Sequence, residues 1–347
     1  MEENLNPNGE ENTTPIDGLT ENSAAGVFTT RLDLSGLNKA VEDIKGQLRK
    51  IVVGQDVMIE LLITALLADG HVLIEGVPGI AKTLTAKIVA KSISVDFSRI
   101  QFTPDLMPSD VLGTSVFNLK TSDFELRKGP LFSNIVLIDE INRAPAKTQA
   151  ALFEAMEERQ ITIDGETHKL ATPFSVLATQ NPIDQEGTYR LPEAQLDRFI
   201  FKIEITYPTL EQEVQIISDF HNRKTRIPLE EIVPVLNAGE IATYRSIVAQ
   251  VIVEEKLIQY IAEIVNNTRN NSSLYLGASP RASLAILNTA KAYAAINGRD
   301  FVTPEDIKFV ATPVLRHRIM LTPEREMEGL TAADIIKQII ERVEIPR

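Results

Sequence analysis

Residues 71–90 read HVLIEGVPGIAKTLTAKIVA, and this stretch decides the fold. A short apolar, β-branched run leads through a Gly-rich turn, GVPGIAKT, into a segment with helical spacing. A strand that turns this way into a helix aims backbone N–H groups and the positive helix end at an anion, and a phosphate suits that arrangement. Gly76, Val77, Pro78, Gly79, Ile80 and Ala81 form the expected cradle, Lys82 reaches for the terminal phosphates, and Thr83 is placed to ligate Mg²⁺. Ala81 stands where the pattern GxxxxGK[ST] has its second Gly, so the backbone there must avoid a strongly positive φ or bear a modest steric cost. A chance Gly/Pro loop is the bland alternative, and the strand before and helix after make it the poorer reading.

Outward from this unit lie four more runs rich in β-branched residues: RIQFT (99–103), NIVLIDE (134–140), FSVLATQN (174–181) and FIFKIEI (199–205). They are nearly continuous in apolar character, as in parallel strands covered on both faces. Helical segments such as TLTAKIVAKSI and KTQAALFEAMEERQ lie between them, which is the pattern of an α/β fold with crossover helices. Two interruptions read as projecting hairpins: TSVFNLKTSDFELRKG, turning at Ser122 and Asp123, and ERQITIDGETHKL, turning at Asp164 and Gly165. Two helices are expected between Leu34 and Leu67, with a turn near Gly54.

After about Tyr207 the strand pattern ends and helices take over. Ser279 and Pro280 suit the N-cap and first position of a helix to about Ile296 that Gly298 can end, and Thr303, Pro304 and Asp306 begin another. The division expected is an acidic tail (1–28), an α/β core with two hairpin insertions (29–207), a linker (208–238) and a small all-α domain (239–347). The tail is poor in large apolar groups and is expected to be disordered.

Further residues carry candidate chemistry. NIVLIDE ends in Asp139 and Glu140, 57 positions after Lys82. In a phosphate-loop protein the Asp helps hold Mg²⁺ and the Glu polarises an attacking water, whereas alone such a pair is usually a solvated strand end. Asn181, closing the next strand, offers a donor and an acceptor to that water or to the γ-phosphate, or is simply a turn former before Pro182. Arg198 precedes the fifth strand and could project into a neighbouring subunit's nucleotide, while Arg281 opens a helix of the second domain and could reach phosphate. For both, a surface salt bridge is the alternative, and Arg190 is a weaker candidate of the same kind. The turn Val53, Gly54, Gln55 could pack on an adenine ring, or be only a helix-to-helix turn.

Composition narrows the classes. Of 347 residues 44% are hydrophobic and 24% charged, an ordinary globular balance. Net charge is −13, six of it from carboxylates in the first thirty residues, which leaves −7 and disfavours a general nucleic-acid binder. There is no cysteine, so no disulfide or thiolate metal site, and only four histidines. No apolar stretch reaches the roughly 20 residues of a membrane span. The first residues lack a basic, apolar leader, so a cytoplasmic protein without membrane insertion is expected.

The order VVGQ, GVPGIAKT, IQFTPDLMPSD, LIDEINRAPAKTQAALFEAMEERQITIDG, ATQNPIDQEGTYRLPEAQLDRF, GASPRASL and VLRHRI resembles the MoxR family of AAA+ ATPases, from about Leu34 to near the C-terminus. Ala81 is typical of that family, while Arg190 stands where relatives more often have Pro. The resemblance implies a five-stranded parallel core in the order 5-1-4-3-2 with a helical lid, assembled as a ring, a hexamer, with ATP between subunits. It makes Lys82 and Thr83 the phosphate and Mg²⁺ residues, Asp139 and Glu140 the Walker B pair, Asn181 the first sensor, Arg198 the arginine finger and Arg281 the second sensor. It further implies a chaperone-like ATPase that matures other protein complexes with partners bearing a von Willebrand factor type A domain. The rivals are a nucleotide-gated scaffold with little hydrolysis, a magnesium-chelatase-like motor subunit and, against the acidic charge, a DNA motor.

Overall fold

The computed structural model describes residues 32–77, 82–181, 189, 191–222 and 229–346. The acidic tail lies outside the described residues, as do Pro78, Gly79, Ile80, Ala81 and Arg190. Two helices come first, at the positions their spacing predicts. One face of α1 (Ser35–Arg49) buries Leu37, Val41, Ile44 and Leu48, while α2 (Asp56–Leu67) is apolar almost all round and buried accordingly. Then follow β1 (His71–Gly76), α3 (Lys82–Ser92) and β2 (Phe97–Gln101).

The first projecting hairpin pairs β3 (Gly113–Asn118) with β4 (Asp123–Lys128) and exposes Val116, Phe117 and Phe124. Next come β5 (Ile135–Asp139) and α4 (Ala146–Glu158), then the second hairpin, β6 (Gln160–Ile163) with β7 (Glu166–Lys169). Its tight turn has Asp164 and Gly165 both at positive φ, 50° and 84°, the geometry that matches the strand twist. The last core strands are β8 (Ser175–Gln180) and β9 (Phe199–Ile205). The five core strands pair in parallel in the order β9-β1-β8-β5-β2, which is 5-1-4-3-2 when only core strands are counted.

Helices make up most of the remainder: α5 (Leu210–Asn222), which lies in the span read as a linker, then α6 (Ala238–Ala249), α7 (Glu255–Arg269), α8 (Pro280–Ile296), α9 (Pro304–Leu315) and α10 (Ala332–Arg342). Ser279 is the N-cap of α8, Gly298 ends it at φ 76°, and Thr303 with Asp306 forms the capping box of α9. One face of the sheet shares its apolar core with α1, α2 and the late helices, through residues such as Leu48, Leu62, Ile286 and Val314. The other face carries α4, around Phe102, Val136, Phe153 and Phe199. Among the described residues no helix is long and apolar enough to cross a membrane.

The segment after α9, Arg316 to Arg318, fastens the late helices to both ends of β9. Arg316 pairs with Glu204 at 2.8 Å, and His317 Nε2 donates to the Phe199 carbonyl at 2.9 Å. Arg318, almost wholly buried, donates to Asp197 Oδ1 at 2.6 Å and to the carbonyls of Asp197, Phe199, Ile200 and Val314. A buried guanidinium is tolerated because its donors are satisfied in this way. Arg318→Leu strands those acceptors and is expected to cost about 3 kcal/mol, read from the urea midpoint.

Two buried histidines make stability depend on pH. His71 Nδ1 accepts from the Val176 N–H at 2.9 Å, so Nε2 carries the proton and faces the Met156 carbonyl at 3.2 Å, leaving no room for a second proton. Burial, assisted by Arg159, draws His71 down to about 3, and burial beside Arg318 likewise draws His317 well below the usual histidine range. Both regain ordinary proton affinity on unfolding, so their contribution is full above about pH 6.5 and is lost as pH falls toward the folded values. The urea midpoint is therefore expected to fall between about pH 7 and about pH 5, before most carboxylates titrate, and a flat profile there would contradict neutral burial.

Candidate functional site

Parallel strands bring their C-terminal ends to one edge, and the candidate chemistry of β1, β5 and β8 meets there. A cleft of ≈ 400 Å³ is lined by Lys82, Thr83, Asp139, Glu140 and Asn181, together with Arg99, Gln101 and Thr179. Five residues singled out in the sequence thus converge, although Asn181 lies 99 positions beyond Lys82. Lys82 Nζ donates to the carbonyl of Gly76 and, at 3.2 Å, to that of Gln180, bridging the ends of β1 and β8. Partial burial draws this amine below the ordinary lysine range, while Glu140, Glu75 and Asp139 oppose the shift.

Asp139 is buried, and polar groups surround it. Thr83 Oγ1 donates to its Oδ1 at 2.9 Å, Thr179 Oγ1 to the same oxygen at 3.3 Å, and Arg99 Nε to Oδ2 at 2.6 Å. A hydroxyl and a carboxylate held this close, with oxygen donors only, fit a hard cation such as Mg²⁺ that keeps much of its water.

Glu140 sits just past the strand in the left-handed region, φ 58° and ψ 54°, which costs a non-Gly residue about 1 kcal/mol. Its N–H is captured by Thr179 Oγ1 at 3.1 Å, so the bend is held from β8. Its carboxylate accepts from Gln101 Nε2 and pairs with Arg143 Nε, each at 3.0 Å. The sequence reading missed Arg99, Gln101, Thr179 and Arg143. The available signal was in RIQFT, where alternate polar residues 99 and 101 interrupt an apolar run and so share one face.

The VVGQ turn lies over a second pocket, ≈ 420 Å³, lined by Gly54 and Gln55 with Met58, Ile203, Ile205, Phe309, Pro313 and Arg316 among others. Val53 is not among the lining residues. Gly54 adopts φ 74°, a conformation that calls for glycine, and the end of the flexible Gln212 side chain of α5 packs over it. Because Ile205 is the register partner of Gly76, this pocket, whose lining mixes apolar side chains with Asp56, Lys202, Glu204 and Arg316, adjoins the end of β1.

Arg198 and Arg281 are elsewhere. Arg198 immediately precedes β9, whose first residue Phe199 pairs with His71 at the start of β1, whereas the phosphate turn follows Gly76 at the other end. Five residues of strand separate those ends, about 17 Å. Arg281, from the first turn of α8, comes to the same end as Arg198: Glu157 near the close of α4 takes Arg281 Nη2 at 2.7 Å and Arg198 Nε at 3.8 Å. Arg198 also donates to the Phe153 carbonyl and lies over the Phe153 ring at 5.9 Å. The salt bridges named as the alternative are therefore present, and the two arginines stand side by side.

Known proteins resemble this chain in sequence and fold. Residues 71–201 match the ATPase family associated with various cellular activities (AAA), and residues 266–339 match the AAA lid domain. The uncharacterized protein YeaC of Bacillus subtilis is 48% identical over 310 residues, 89% of this chain and 95% of its own. Chaperone MoxR1 of Mycobacterium tuberculosis is 40% identical over 339 residues, 95% of this chain and 86% of its own. A crystal structure from Cytophaga hutchinsonii superposes with a TM-score of 0.82 at 43% identity, covering 90% of this chain and 97% of that one. With GVPGIAKT in the sequence and the strand order and helical lid in the fold, the chain belongs to the MoxR family of AAA+ ATPases.

Proposed function

We propose that this protein is a Mg-ATP hydrolase that works as a ring, probed most directly as a hexamer, in which each cleft is completed by Arg198 and Arg281 of an adjacent subunit. The observation that carries this reading is the placement of both arginines together at the opposite end of the sheet from their own cleft. A head-to-tail contact that closes into a ring sets one such end against the next subunit's cleft.

Lys82 exchanges its two carbonyl partners for the terminal phosphates, and Thr83 with Asp139 would hold Mg²⁺, which when bound neutralises charge on the β and γ phosphates. Glu140 orients water and takes its proton as the water oxygen bonds to the γ-phosphorus and the bond to the bridging oxygen breaks. Asn181 contributes an amide to the same water or to the γ-phosphate. The pocket under Gly54 and Gln55 suits the base, with apolar side chains for its faces and backbone groups for its edge. Gln101 and Arg143 hold Glu140 aside until the cleft is filled.

Hydrolysis would drive remodelling of client protein complexes, as the chaperone among the relatives suggests. The exposed β3–β4 hairpin, with Phe117 and Phe124 packed edge to face at 5.2 Å, is the apolar surface best placed to touch a client. A partner with a von Willebrand factor type A domain belongs to the same proposal. The deciding measurement is ATP turnover per subunit across protein concentration. A rise in specific activity as rings form supports the shared-site motor, and negligible turnover at every concentration would leave a nucleotide-gated scaffold instead.

A further inference from the structure

The two arginines proposed to serve a neighbour are occupied within their own subunit, and a single carboxylate occupies both. Glu157 accepts from Arg281 at 2.7 Å and lies 3.8 Å from Arg198, while Asp197, the other acid present, is engaged by Arg318 at 2.6 Å and lies 3.9 Å from Arg281. Three guanidiniums thus face two carboxylates, a local excess of one positive charge. Arg198 keeps other restraints, the Phe153 carbonyl and ring, whereas Arg281 is held by the carboxylates of Glu157 and Asp197 and has a side chain that is 51% exposed. Such a pair holds a geometry weakly and opens readily. A phosphate, with more charge and more acceptor oxygens than a carboxylate, competes well for both guanidiniums.

We propose that Glu157 is a positioning residue that parks Arg281, and with it Arg198, against α4 in the unassembled subunit, and that phosphate of a nucleotide held by the adjacent subunit draws both away. This rests on the reading that the two arginines complete a neighbour's cleft. Parking keeps a lone subunit from presenting two unpaired arginines to any anion. It also makes the arginines' release part of what nucleotide and assembly must drive.

The test is Glu157→Gln, which keeps shape and helix propensity and removes the charge. The half-saturating ATP concentration of the assembled protein is expected to fall about 1.5- to 5-fold, the range of an exposed ion pair. Turnover at saturating ATP changes by less than about 2-fold and the thermal midpoint is unchanged, since no core contact is lost. The gap from wild type narrows in high salt, which screens the parked pair. Glu157→Asp, with the charge kept but drawn back, should fall between the two. In an Arg198→Ala, Arg281→Ala background, Glu157→Gln should leave the affinity for a non-hydrolysable ATP analogue unchanged, because both parked groups are gone.

If Glu157→Gln raises or does not alter the half-saturating ATP concentration while Arg198→Ala and Arg281→Ala are inactive, parking is overturned and the shared-cleft reading stands. If Glu157→Gln lowers the thermal midpoint together with ATP affinity, the residue is only a tie between α4 and α8, and parking is again overturned. If both arginine variants hydrolyse ATP as wild type does, the shared-cleft reading itself fails and takes parking with it.

Discussion

Arg198→Ala is expected to lower ATP turnover by about 10³-fold or more while leaving the subunit folded. The size follows from removing a guanidinium that meets developing charge on the transferred phosphoryl group, an interaction strongest in the transition state. Stability should change little, because Arg198 is a partly exposed side chain whose losses are one carbonyl contact, one ring contact at 5.9 Å and one loose ion pair. The position of Arg198, about 17 Å of strand away from its own phosphate turn, adds a sharper form of the test. Mixed with Glu140→Gln subunits, inactive Arg198→Ala subunits supply intact clefts and receive intact arginines at roughly a quarter of the interfaces of an evenly mixed ring. Turnover should recover to about that fraction. Two inactive variants that stay inactive on mixing, under conditions where rings form, would place the arginine's action within its own subunit.

Glu140→Gln is expected to lower turnover by about 10²- to 10⁴-fold with ATP binding retained. An amide keeps the shape and the hydrogen bond from Gln101 but has no basicity with which to take a proton from water. Lys82, Thr83 and Asp139 are untouched, so phosphate and Mg²⁺ binding persist, and the variant should accumulate in the nucleotide-bound ring. Equilibrium binding of a fluorescent ATP analogue beside a phosphate-release assay separates the two effects. Loss of both binding and turnover would mean that Glu140 shapes the cleft, through its left-handed turn and the Thr179 contact, more than it acts on water.

Much of this protein was legible in its sequence because the signals were local. The phosphate turn needs only consecutive residues between a strand and a helix, and continuous apolar runs at 71–75, 134–140 and 199–205 suffice to mark strands covered on both faces. The caps of α8 and α9 and the Asp164–Gly165 turn are likewise fixed by neighbours a few positions apart, and all stand where expected. The pairing order was not local: the strand runs alone do not give 5-1-4-3-2, and only the family resemblance implied it. Nor did they mark Arg99 and Gln101 as partners of Asp139 and Glu140, since that depends on β2 lying beside β5 in the register Gln101 to Asp139.

What tertiary structure alone decided is which charges meet. Arg198 and Arg281 are 83 positions apart and belong to different structural layers, yet both come to Glu157 because Arg318 ties the segment after α9 to the start of β9. Sequence determined the residue types proposed to bind and cleave a phosphoanhydride and their order along the chain, because backbone turns and strand ends are set by short-range sterics and apolar periodicity. The fold decided that the two arginines face away from their own cleft, because the end of the sheet a side chain occupies follows from strand direction and helix packing across the whole chain.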